Sequence, residues 1–289
     1  MNRILLMLLI TNLSFAQTYE KGILVEPIKI DKSIKVEAGS SVEYKPSSSS
    51  KFKIDIKGND TTYNQISDYY VIPYDSEFSP SRIFLYLIDE RYYNYAEQIR
   101  TKRDLAKNCL KIFPNHFLAE ELNAQYCIYS KICMEYPDGV KATYDTEIKI
   151  FNDFILKYSA SIYIDQFKWQ IVQMENYSYE YEGFASAPLS EVRAYEKFLE
   201  NNSNSKLKDE VKNACAYLYR VVYEIMIDNP ENHKIEGFIL SNAEEFIQKS
   251  VKYYTELLSC SDIQLRESSR VALYNINHKR TTYVGNTDW

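Results

Sequence analysis

Phe151-Asn-Asp-Phe154-Ile-Leu-Lys-Tyr158-Ser159-Ala-Ser161-Ile-Tyr163-Ile-Asp165-Gln-Phe167-Lys168 returns 44 positions later as Tyr195-Glu-Lys-Phe198-Leu-Glu-Asn-Asn202-Ser203-Asn-Ser205-Lys-Leu207-Lys-Asp209-Glu-Val211-Lys212. The shared pattern is an aromatic residue, Phe-aliphatic three positions on, then Ser-x-Ser, then an acidic residue four positions after the second serine. Self-similarity at a fixed period is the signature of stacked supersecondary units, each unable to bury its apolar face alone. Two weaker copies extend the series. Ala106 to Glu121 lies 45 residues upstream, and Tyr254-x-x-Leu257-Leu258 with Ser261 and Glu267 lies about 58 downstream of the second good copy.

Periodicity on either side says which unit repeats. Val211, Ala214, Cys215, Leu218, Val222 and Ile225 form one apolar stripe at 3 and 4 spacing, and Ala243, Phe246, Ile247, Tyr254 and Leu257 form another. Both stripes predict amphipathic helices. Ser241-Asn-Ala-Glu244 has capping-box spacing, and Asn229-Pro230 stops the preceding helix. The expected fold is an all-α helical repeat array of about four helical hairpins, at 90–135, 142–176, 190–228 and 241–276, with a small N-terminal β-rich segment.

That segment, 17–60, has period 2 instead. Phe52-Lys-Ile54-Asp-Ile56 alternates strictly, Ile34-Lys-Val36 and Val42-Glu-Tyr44 are shorter pieces, and Ala38-Gly39-Ser40-Ser41 and Pro46-Ser47-Ser48-Ser49-Ser50 read as turns and linkers. A meander of three short strands is expected. Residues 61–89 are Tyr-rich and broken by Pro73 and Pro80, which predicts an extended connector. The helical domain then runs over 90–276 and the tail over 277–289.

At the N-terminus, Arg3 precedes the apolar run Ile4 to Ile10, and Ser14-Phe15-Ala16 puts small residues where a signal peptidase reads. Residues 1–16 are expected to be a cleaved signal peptide, so that the mature chain starts at Gln17 and is exported, with the periplasm as the expected location. No Cys follows the cleavage site directly, and no later run approaches the ~20 apolar residues of a transmembrane helix. Without Arg3 the chain carries 33 basic against 40 acidic side chains, a net charge of −7. This balance argues against a nucleic-acid partner.

Leu110-Lys-Ile-Phe113-Pro114 and Phe151-x-x-Phe154-Ile-x-x-Tyr158-Ser-x-Ser161-x-Tyr163 resemble the helix ends and turns of tetratricopeptide-like repeats. They are most similar to those of the bacterial outer-membrane assembly lipoprotein group. The period of 44 exceeds the usual ~34. The resemblance implies a scaffold that binds another envelope protein or peptide.

For chemistry, the residues offer few sets. His116, His233 and His278 stand far apart, and none has partners at metal-ligand spacing. The seven glycines never cluster into a phosphate loop, and no Gly-x-Ser-x-Gly elbow occurs. No cofactor, metal site or catalytic constellation is expected. The five cysteines lack a disulfide-framework pattern, although Cys109 and Cys127 would face each other in one hairpin. One local cluster stands out: Glu175, Tyr177, Tyr179, Glu180, Tyr181, Glu182 and Phe184, between the second and third hairpins. Three readings of it are open: ordinary helix extension and packing, a binding surface, or paired carboxylates of a hydrolase. As a surface it would hold a protein partner. Alternatively, with the concave helix face, it would make the chain a glycan-binding protein.

Overall fold

The computed structural model describes residues 20–29, 35–44, 51–56, 59–64, 71–89, 96–134, 144–176, 183–228 and 243–281. The chain divides into two compact units, 1–142 and 143–289. The first holds the β segment with the first hairpin, and the second holds the other three hairpins.

In the first unit, five strands form an antiparallel sheet in the order β6-β5-β4-β1-β7. They are β1 (Glu20–Leu24), β4 (Ser41–Tyr44), β5 (Lys51–Ile56), β6 (Asn59–Asn64) and β7 (Val71–Pro73); β2 (Ile28–Lys29) and β3 (Lys35–Val36) pair separately. Register pairs Glu20 with Tyr44, Tyr44 with Phe52, and Ile56 with Asn59. The sheet is thus larger than a three-stranded meander.

The extended connector expected over 61–89 is corrected by the structure. Most of β6, all of β7 and a helix, α1 (Ser79–Ile88), occupy it. Pro80 does not interrupt α1; it sits in its first turn, where a missing N–H costs nothing and the fixed φ suits the helix. The Asp75 carboxylate starts the turn, accepting the amides of Glu77 and Phe78 at 2.8 and 2.9 Å. Ser79 Oγ accepts the Asp75 amide at 2.6 Å and donates to the Pro73 carbonyl at 2.6 Å.

α2 (Ala96–Ile112) and α3 (Ala119–Met134) form the first hairpin. Their apolar faces join α1 and β1 in one core: Ile23 and Val25 from the sheet side, Ile83 and Leu87 from α1, Leu105, Cys109 and Phe113 from α2, Leu122 and Tyr129 from α3. Lys102 is 1% exposed in this core. Its ammonium donates to the carbonyls of Leu87 and Asp89 at 2.9 and 2.7 Å, closing the C-terminal end of α1. The negative end of the helix dipole favours a cation there, and burial pulls the Lys102 pKa down. At Gly39, φ is +81° and an added Cβ would lie 2.5 Å from Asn108 Cβ, while Asn108 Nδ2 donates to the Ala38 carbonyl at 2.7 Å. Glycine is required because α2 leaves its turn no room.

The second unit contains α4 (Asp145–Lys157) with α5 (Ile164–Glu175), α6 (Ser186–Asn201) with α7 (Lys208–Asp228), and α8 (Ala243–Leu257) with α9 (Ile263–Asn277). α7 is its centre. Eleven of its residues are buried, from Val211 to Met226. Phe154 packs edge-on against Phe167 at 4.7 Å within the second hairpin. Trp169, on α5, reaches the rings of Tyr195 and Phe198 on α6 at 4.5 and 5.3 Å. Within this unit each hairpin therefore buries part of its stripe against the next. Where α7 and α8 meet, Ser250 Oγ donates to the Ala216 carbonyl at 2.7 Å, both residues being buried.

Candidate functional site

The repeat survives as a hydrogen-bonded turn. In the second hairpin the Tyr158 amide donates to Phe154 O at 2.9 Å, Ser161 N to Tyr158 O at 2.9 Å, and Ile164 N to Ser161 O at 3.3 Å. Exactly 44 residues on, Asn202 N donates to Phe198 O at 2.9 Å, Ser205 N to Asn202 O at 2.9 Å, and Lys208 N to Ser205 O at 3.3 Å. The first hairpin repeats the set through Cys109, Phe113, His116 and Ala119.

At the corner of every hairpin, one side chain accepts the amide two residues on. Ser161 Oγ takes it from Tyr163 at 3.2 Å, Ser205 Oγ from Leu207 at 3.1 Å, His116 Nδ1 from Leu118 at 3.1 Å and Asp262 Oδ1 from Gln264 at 2.8 Å. Short polar side chains favour such local bonds over helix continuation, which is why the chain turns there. His116 fits by tautomer: with Nδ1 accepting, Nε2 carries the proton and faces the Glu77 carbonyl at 3.1 Å.

The residue that follows the acceptor points outward. Phe117 is 74% exposed, Ile162 87% and Ile263 64%, and in the third hairpin the place is held by exposed Lys206. Large apolar side chains thus face solvent directly after the acceptor in three hairpins, within the turn for Phe117 and Ile162 and at the first position of α9 for Ile263; the Phe117 ring lies 4.4 Å from that of His116. The Ser-x-Ser pattern reads as scaffold in the sequence and gives this neighbour no role. The signal in the sequence is an apolar residue within a polar turn, at repeat spacing for Phe117 and Ile162.

Of the cluster singled out in sequence, Tyr177, Tyr179, Glu180, Tyr181 and Glu182 lie outside the described residues, as do His233 and Ser241-Asn242. Glu175 is exposed at the end of α5, and Phe184 is half-buried just before α6, beyond Gly183 at φ +73°. Near the third turn, Asp165, Asn201, Asn202, Ser203, Asn204 and Ser205 line a polar depression of about 220 Å³.

A second polar group joins α6, α7 and α8. Tyr253 OH donates to Glu196 Oε1 at 3.0 Å, and Tyr219 hydrogen-bonds to the same carboxylate. The Tyr219 ring is stacked between Phe246 and Tyr253 at 6.0 and 6.3 Å, with Lys249 Nζ 5.1 Å from its centroid. Burial first, and then the Glu196 carboxylate, push the Tyr253 and Tyr219 hydroxyls well above their usual range. They stay protonated as donors, so the group ties three helices together. Two thiols are held protonated in the same way. Burial raises Cys109 to about 12 and raises Cys215 further still. Cys109 and Cys127 are both free thiols, so the bridge between them does not form here. Among the described residues, no group of three His, Cys, Asp or Glu could hold a metal ion, and no helix is long and apolar enough to cross a membrane.

A scan of the chain against protein-family models gives no match, and a search of the curated proteins likewise gives none.

Proposed function

We propose that this chain is an exported, periplasmic helical-repeat scaffold, tetratricopeptide-like in its turns, that holds another protein of the cell envelope. The observation that carries the reading is the recurrence of a solvent-facing apolar side chain, Phe117, Ile162 or Ile263, directly after the turn acceptor. Side chains of this kind on rigid corners contribute binding energy at small ordering cost. The leader-like residues 1–16 support export.

The polar depression at Asp165 and Asn201–Ser205 favours a second reading, a glycan held by its hydroxyls. One experiment separates the two. The full chain is crosslinked in envelope extract, beside a variant carrying Phe117→Ser, Ile162→Ser and Ile263→Ser. The scaffold reading requires one defined protein partner, lost in the variant while the helical circular-dichroism signal is kept. Capture that the variant leaves unchanged, or retention on cell-wall polysaccharide without a protein partner, would overturn it.

A further inference from the structure

We propose that α9 is a latch helix, opening as a unit ahead of the rest of its compact unit, and that the bond from Arg220 to the Arg280 carbonyl is its catch. Along α9 only Ser269 is buried, against eleven residues of α7. Ile263, Val271 and Tyr274 face solvent. The rest of its apolar side packs, only partly buried, on a small separate cluster of Ala216, Tyr254, Leu257 and Cys260. Few buried apolar contacts place a segment at the low-stability end of a fold, where opening precedes global unfolding.

The two ends of α9 are held differently. The N-terminal end has local bonds only: Asp262 Oδ1 accepts the amides of Gln264 and Leu265 at 2.8 and 3.0 Å, and Arg266 Nη1 donates to Cys260 O at 3.3 Å. At the C-terminal end Lys279 adopts φ +53°, the Arg280 amide donates to Asn275 O at 2.9 Å, and the chain doubles back. That reversal brings the Arg280 carbonyl to Arg220 on α7. Arg220 is 2% exposed, and its Nε already donates to Glu224 Oε1 at 2.7 Å. A buried guanidinium must have its donors satisfied, so the carbonyl is a strong tether for a weakly buried helix. Releasing it uncovers Tyr254, Leu257 and the Cys260 thiol, which closed α9 keeps at 8% exposure.

Cys260 therefore reports the latch, and Cys215, in the main core of the same unit, reports global unfolding. The full chain is treated with iodoacetamide at neutral pH and the two thiols are followed by peptide mass spectrometry. Cys260 should be modified at least about tenfold faster than Cys215, since sub-global opening is more frequent than unfolding. Arg220→Met combined with Glu224→Gln, so that no buried carboxylate is left without its guanidinium, and separately Leu273→Ala, which disturbs no buried charge, should each speed Cys260 while leaving Cys215 unchanged. Arg280→Lys keeps both the carbonyl and a cation over the Tyr274 ring, which the guanidinium faces at 5.3 Å, and should leave both rates as they are. Equal rates for the two thiols in the unaltered chain, or variants that accelerate both together, would overturn the proposal.

Discussion

Ser161 and Ser205, 44 residues apart, make the same bond: each hydroxyl accepts the amide two residues further on, at 3.2 and 3.1 Å. The repeat thus recurs as geometry within one chain; His116 makes the equivalent bond with different chemistry, while in the fourth hairpin Asp262 accepts as the N-cap directly before α9.

Removing the acceptor should loosen a corner without collapsing the fold. Ser161→Ala and Ser205→Ala should each cost about 0.5–1.5 kcal/mol, the usual net value of one such bond. The double variant should cost the sum, because the two turns share no partner. Urea denaturation checks both points, and a loss larger than the sum would show that the turns are coupled.

Phe154 and Phe198 are 1% and 4% exposed at equivalent positions. Truncating either to Ala should cost about 3–5 kcal/mol through lost burial and a cavity. An unchanged melting temperature for both would contradict the packing described.

Gly39→Ala should destabilise the first unit by about 1–3 kcal/mol, because φ +81° is strained for alanine and its Cβ would sit 2.5 Å from Asn108 Cβ. Protease sensitivity of the N-terminal segment would report the change. Ser40→Ala, one residue away, provides the control.

Alkali should weaken the second unit. Burial pushes Tyr254 up from its ordinary 10.0 to about 12, and Tyr219 and Tyr253 are raised in the same direction. A raised folded-state pKa gives stability that is complete below pH 10 and is lost as pH climbs through 12, since unfolded tyrosines ionise first. The urea midpoint should be flat from pH 8 to 9.5 and fall between 10 and 12, and Tyr254→Phe should shrink the fall.

What the sequence made legible follows from which forces are periodic. The hairpins were readable because Val211, Cys215, Leu218, Val222 and Ile225 mark one helix face at 3 and 4 spacing, and the turn recurs at a fixed distance. α1 was not, because Pro80 looks the same whether it ends a helix or begins one; the difference lies in Asp75 and Ser79 bonding the turn before it. β6, Asn59-Asp-Thr-Thr-Tyr-Asn64, has no apolar alternation and owes its state to pairing with β5. Tertiary context decides such segments. The corner residues escaped because Phe117, Ile162 and Ile263 are single apolar positions, and only burial distinguishes a core residue from one facing water.

Trp169 gives the junction of the second and third hairpins its own optical signal. Its indole is 2% exposed between Tyr195 and Phe198, so its fluorescence should be blue-shifted and fed by energy transfer from neighbouring tyrosines. With Trp289→Phe, emission would come from this one place. Red-shifted light would then mark the moment the hairpins part, resolved in time from the loss of helix within either of them.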